Sequence, residues 1–272
     1  MGKYRGILVV LAAAAVLVGL LPGWGAASAG TDSVPVAVLM YHNFAGEDGS
    51  YTVSAERFRD HLTALAEAGY VTVTFGDLLA YAAGDGDLPE KPVVLVSDDG
   101  YEGVLTYALP VLEEMDMVMS TAVIGELIGV REPGRTGHFS MEELREADPD
   151  GRLEPVSHSF GLHSITAEMT GAVNLTLPQE AYAGRLAADC ALMAAYGETY
   201  PGMGQVFVYP FGGWSAESET LLSQAGYRVT VTTERGIAQV IRGAELTLLP
   251  RVPAEWYSTG EALLAEMDAL SP

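Results

Sequence analysis

The stretch "KPVVLVSDD" (residues 91–99) sets two adjacent aspartates, Asp98 and Asp99, at the end of an apolar run. "PVVLV" reads as a buried strand, and taking two neighbouring carboxylates out of water at its end is costly unless something compensates them. Similar runs recur along the chain. Residues 36–42 ("VAVLMYH"), 70–75, 118–125, 153–158, 205–212, 227–233 and 246–252 each predict a strand.

Helical stretches lie between these runs. Ser54 is placed to cap a helix whose Phe58, Leu62 and Leu65 share a face, with Gly69 ending it. A short helix ends near Gly84, and residues 101–115, 179–196, 215–225 and 259–270 predict further helices. "SMEE", from Ser140 to Glu143, is a capping box that opens another. Residues 164–178 are the longest piece without a pattern. Alternating strands and helices imply βα units and a parallel sheet. The number of units predicts an α/β fold, a (β/α) barrel of seven or eight strands. Chemistry in such a barrel sits at the C-terminal ends of the strands. Asp98, Asp99, His42, His158 and Tyr209-Pro210 all fall there.

The chain has 272 residues and opens with Lys3 and Arg5, an apolar core over residues 7–21, the breaker Pro22-Gly23, and small residues at Ala27-Ser28-Ala29. That is the layout of a secretory signal peptide over residues 1–29, which leaves residues 30–272 as a single domain working outside the cytoplasm, secreted or in the cell envelope. The alternative is a retained N-terminal membrane anchor, although the apolar core is shorter than the roughly 20 residues a spanning helix needs. Cys190 is the only cysteine, which excludes an intrachain disulfide or a thiolate metal cluster. A formal charge of −22 argues against nucleic acid as a partner. A monomer is expected.

Five histidines are present. His61 lies in a helical pattern and His138 just before the capping box, and both read as structural or surface residues. His158 and His163, in "SHSFGLHS", are five apart, a spacing that points to a loop rather than to one helix face. Taken alone, such a pair is better read as solvated loop residues. Taken with the strand-end aspartates, it suggests an Asp-His-His metal set with a position open for water, as catalytic zinc requires. One aspartate would then bind the metal and the other act as a base. Zinc is the default for these ligands, and other divalent metals share them.

At this point the sequence resembles the polysaccharide deacetylases with a NodB-homology domain, carbohydrate esterase family 4. "VSDDGY", "SHSFGLH" and "VYPFGGWS" match three of the family's motifs, in the family's order, over residues of about 36 to 256. The resemblance implies Asp98 as base, with Asp99, His158 and His163 as metal ligands. It implies that Tyr209, Pro210, Phe211 and Trp214 line the substrate side, with the Phe211 N–H helping to hold an oxyanion. The implied fold is the distorted barrel of the NodB type, and the implied partner an acetylated glycan.

Three departures stand out. Ser97 replaces an aromatic residue before the two aspartates. Val208 occupies the place of a motif arginine, whose charge Arg251 in "LLPRV" could supply from another strand. No histidine follows His163, so the usual C-terminal acid is missing. "MYHNF" resembles the early Tyr-His motif of the poly-N-acetylglucosamine deacetylase branch, which makes His42 the expected acid. Together these imply a metal-dependent N-deacetylase of an N-acetylglucosamine-containing polysaccharide. An O-acetyl esterase on cell-wall polymer or xylan, or a glycan-binding protein without turnover, are the alternatives.

Overall fold

The computed structural model describes residues 33–271, so the export-signal reading of residues 1–29 lies outside the described residues. The chain begins with β1 (Ser33–Tyr41), the short strands β2 (Asn43–Ala45) and β3 (Thr52–Ser54), and α1 (Ala55–Glu67). Then come β4 (Val71–Val73), α2 (Phe75–Ala83) and β5 (Pro92–Ser97). A π-helical turn at Val104–Ala108 leads into α3 (Leu109–Met115), followed by β6 (Met119–Val123), α4 (Met141–Ala147) and β7 (Leu153–Ser157). A small hairpin, β8 (Met169–Thr170) with β9 (Val173–Asn174), precedes α5 (Gln179–Ala194), α6 (Gly202–Gln205) and β10 (Val206–Val208). The last elements are α7 (Ala216–Gln224), β11 (Val229–Arg235), β12 (Ala238–Ile241), β13 (Leu246–Pro253) and α8 (Gly260–Leu270).

The strands β1, β5, β6, β7, β10, β11 and β13 close a parallel barrel in that order, with β13 returning to β1. The barrel is distorted at two places. One edge of β5 is taken by β1, so β4 and β6 share the other: β4 pairs along Pro92, Val93 and Val94, and β6 along Val96 and Ser97. Between β11 and β13 the connection is β12, antiparallel to β1, in place of a helix. The expected strand over residues 70–75 is shorter because the Thr74 hydroxyl accepts from Asp77 N while the Asp77 carboxylate accepts from Thr74 N, a capping box that commits Phe75 to α2.

Alternation along the strands separates two apolar layers. Val36 and Val38 of β1, Val94 and Val96 of β5, Ala122, Val156, Val206, Val208, Val229 and Val231 form one cluster, the barrel interior. The intervening residues Ala37, Leu39, Val93 and Leu95 pack outward on α1, α3 and α8. Phe207 and Tyr209 pack outward on α5 and α7. Each buried valine contributes on the order of 1.5–3 kcal/mol, so a ring of them fixes the register of every strand.

Phe75, Leu78 and Leu79 of α2 join the interior cluster and plug the end where the strands begin. Glu154 of β7 anchors that plug. It accepts from Phe75 N at 3.0 Å and Gly76 N at 2.8 Å, in the first turn of α2, and from Ser120 Oγ at 2.6 Å. Its charge also suits the positive end of the helix. Glu154→Ala leaves two donors at the start of α2 without an acceptor, and the expected cost is about 2 kcal/mol of unfolding free energy. Urea denaturation checks this; an unchanged midpoint would mean that water replaces the carboxylate without loss.

Candidate active site

The interior alternation carries past the strand ends and places the polar groups. Asp98 stands two residues beyond Val96, His158 two beyond Val156, and Arg251 two beyond Leu249, so all three turn into the barrel mouth. They are 3%, 2% and 1% exposed respectively. Asp99 has the wrong parity and joins them by another route. Its φ of 75°, followed by Gly100 at 77°, breaks the strand and swings its side chain to the same rim. A left-handed non-glycine residue costs about 1–3 kcal/mol, which the surrounding contacts must hold in place.

Arg251 and Asp98 form the polar centre of the mouth. One guanidinium nitrogen, Nη1, donates to both carboxylate oxygens at 2.8 Å, and Nε donates to Thr232 O at 2.6 Å. The Asp98 main-chain N–H is tied to Tyr41 O of β1 at 2.9 Å. Burial alone would raise the Asp98 pKa. The charge of Arg251 and its hydrogen bond outweigh it and hold the carboxyl below its ordinary range.

Asp99, His158 and His163 converge beside this pair. Asp99 Oδ1 lies 3.6 Å from His158 Nε2 and 3.4 Å from His163 Nε2, and the three donor atoms are within 4.8 Å of one another. His158 Nδ1 is 2.7 Å from Val208 O, so it carries the proton and leaves the Nε2 lone pair facing Asp99. Burial lowers the His158 pKa against the pull of Asp98 and Asp99, which favours the neutral ring that binds metals. Asp99 Oδ1 is buried and has no hydrogen-bond partner. A buried anionic oxygen facing two imidazole nitrogens fits a divalent cation between them. Tetrahedral ligands about 2.0–2.1 Å from zinc stand roughly 3.4 Å apart, close to the two separations seen here.

The other expected site residues divide. His42 follows β1, stacks edge-on against Tyr51 at 5.4 Å, and lines a cavity of about 50 Å³ with Glu255 and Trp256. Phe211 has φ 59° and its ring lies 4.5 Å from that of His163. Pro210 is buried, and its carbonyl approaches Gly171 so closely that a Cβ there would lie 2.8 Å away. Trp214 is exposed, with Nε1 donating to Glu234. Tyr209 is a correction: its side chain does not line the mouth. It has the outward parity of Phe207, is fully buried, and donates its hydroxyl to Glu219 Oε1 at 2.5 Å. Ser97 is buried, with its hydroxyl on Thr121 Oγ1 at 3.1 Å.

His138 was read from the sequence as a structural or surface residue, and Tyr101 as a sugar-stacking one; both lie near the cluster. His138 stacks on Tyr101 with ring centroids 4.8 Å apart. Burial, then the neighbouring Asp99 carboxylate, pushes the Tyr101 hydroxyl up to about 12. Tyr101 stands two residues after Asp99, so its closeness was legible, whereas that of His138 depends on an isolated bridge between the two. His61 is structural, bonded to Tyr41 Oη and Ser258 O. A cavity of about 870 Å³ lies between α7 and the β12–β13 turn and is lined by none of Asp99, His158 or His163, so chemistry locates the candidate site.

A family model described as Polysaccharide deacetylase matches residues 85–230. The poly-beta-1,6-N-acetyl-D-glucosamine N-deacetylase of Escherichia coli K12 is 26% identical over 242 residues, covering 79% of this chain and 36% of that protein. This chain thus spans about a third of that relative's length. Among solved structures, a de-N-acetylase from Aggregatibacter actinomycetemcomitans superposes with a TM-score of 0.72 at 19% identity, over 86% of this chain and 100% of its own. IcaB from Ammonifex degensii gives 0.70 at 24%, over 85% and 97%. Both likenesses establish the fold.

Removing one partner of a buried ion pair strands the other charge. Arg251→Met is therefore expected to cost about 3–5 kcal/mol in urea unfolding, and Asp98→Leu combined with Arg251→Met to recover most of that loss. Additive losses in the double variant would show that the two side chains are not coupled.

Proposed function

The chain belongs to the polysaccharide deacetylase family, and from that premise we propose that it is a metal-dependent hydrolase removing N-acetyl groups from an N-acetylglucosamine-containing polysaccharide. One observation carries the reading: Asp98, clamped by Arg251, stands beside the Asp99, His158 and His163 set on a single barrel rim. The polymer named for the Escherichia coli relative makes poly-β-1,6-N-acetyl-D-glucosamine the first substrate to try. With residues 1–29 read as an export signal, the acetylated glycan is met outside the cytoplasm.

Asp99, His158 and His163 would hold the metal, with zinc the first choice for one carboxylate and two imidazoles. When bound, it supplies Lewis acidity toward the acetamide carbonyl and lowers the pKa of water beside it to about 7. The chain's own groups then divide the remaining work. Asp98 takes the proton of the attacking water, which adds to the acetamide carbon. Arg251 keeps that carboxylate ionised and oriented, since two hydrogen bonds from one nitrogen leave it little freedom to turn. The Phe211 N–H donates to the developing oxyanion. His42, directly after β1, protonates the amine as the carbon–nitrogen bond breaks and acetate leaves. Exposed Trp214 and Trp256 offer faces for sugar rings.

The test is acetate release from poly-β-1,6-N-acetyl-D-glucosamine, chitin oligomers, peptidoglycan and O-acetylated xylan, with chelator and after zinc is restored. Chelator-sensitive release from one of the N-acetylated glycans is expected. Asp98→Asn should lower kcat by roughly 10²–10⁴ with metal still bound, and His42→Ala by a similar factor. Release from xylan alone would replace the amide reading with the ester one. Glycan binding without any release would make the chain a binding protein.

A further inference from the structure

His158 and Asp99 are each fixed by their own surroundings: His158 by its bond to Val208 O at the end of β7, Asp99 by the left-handed turn after β5. His163 is different. It stands five residues past His158, its side chain is 25% exposed, and among the described residues its ring makes no hydrogen bond. Its position therefore depends on the conformation of the loop that carries it.

That loop is clamped from behind by Asp189 of α5. Asp189 Oδ1 accepts from Phe160 N at 2.9 Å and Oδ2 from Gly161 N at 2.8 Å, the two amides midway between the histidines. The carboxylate is 6% exposed, and Arg185, one turn earlier on α5, is engaged with Glu168 instead. A nearly buried anion spent on two loop amides is costly unless the geometry it fixes is worth holding. The opposite edge of the loop is tied as well, by Gly125 N on Ser159 O at 3.0 Å and Glu126 N on Phe160 O at 2.8 Å. Ser159, at φ 66°, accepts from Leu162 N through its hydroxyl. The loop is thus held between α5 and the segment after β6.

We infer that Asp189 is a positioning residue, which sets the affinity of the site for a divalent cation by fixing the backbone between His158 and His163. The inference rests on the metal reading above. Asp189→Asn keeps the shape but turns an amide N–H toward one of the two loop donors, so the clamp opens on that side. Partners that orient metal ligands typically change affinity by about 10–100-fold when removed.

The experiment uses the full chain stripped of metal. Zn²⁺ is titrated in competition with a chromophoric chelator, the absorption spectrum of the Co²⁺-loaded protein is recorded, and urea unfolding of the metal-free protein is followed alongside. The control is Tyr182→Phe, which removes a different buried hydrogen bond of the same helix, from Tyr182 Oη to Ala172 O. Asp189→Asn is expected to bind Zn²⁺ about 10–100-fold more weakly and to alter the Co²⁺ spectrum, while the control keeps both. Should Asp189→Asn fail to fold, Asp189→Glu keeps both acceptors one methylene out of place, and the same loss is expected. Zn²⁺ affinity within twofold of the parent in a folded Asp189 variant would make the residue merely structural. A parent chain that binds neither Zn²⁺ nor Co²⁺ would overturn the metal reading itself, an outcome visible before any variant is compared.

Discussion

The buried pair of Arg251 and Asp98 is the constraint around which the barrel mouth is organised. The two residues are 153 positions apart, on the strands that flank β1 from either side, and their contact clasps the barrel across its seam. A buried ion pair is a poor way to gain stability, because desolvating both charges offsets most of their attraction, and apolar residues of similar volume often serve as well. The valine layer directly below shows that the interior accepts that solution at other positions. Two charges at this level, bonded to each other and through Arg251 to Thr232 O, hold a carboxylate ionised at the barrel mouth.

The three residues of the Asp-His-His set reach the same spot by three unrelated devices. His158 follows strand parity, Asp99 reverses it through a left-handed turn, and His163 arrives on a loop pinned by backbone hydrogen bonds. Each device fixes a different degree of freedom: the side a residue faces, the direction of a turn, and the shape of a segment. The unpartnered buried oxygen of Asp99 is where they meet.

Much of this was legible in the sequence, because strand parity and motif spacing are written there. The βα alternation, the strand-end aspartates and the looped histidine pair needed only the residue pattern. Tyr209 was misjudged although its parity was equally readable: with Val206 and Val208 inward, a tyrosine at 209 must face the helices. Other features depend on contacts across the fold. The sequence offers no sign that Asp189 meets Phe160 and Gly161 across 28–29 residues, or that His138 packs on Tyr101. The β12 strand is four residues long, and so short an alternation was not singled out in the sequence.

On the proposed reading, closure of the barrel also accounts for His42 as an acid on the first strand where the family pattern has one near the C-terminus. In an open sheet the first and last strands lie far apart, and a residue could not move between them without leaving the site. Here β1 lies between β13 and β5, and Ala254 N donates to Met40 O, so the ends of the first and last strands are joined at the level of the mouth. His42 shares its small cavity with Pro253, Ala254 and Trp256 from the other end of the chain. A histidine placed after either strand would face the same carboxylate. The position of an acid along the sequence is therefore free to change, while its position on the rim is set by the geometry of a closed ring.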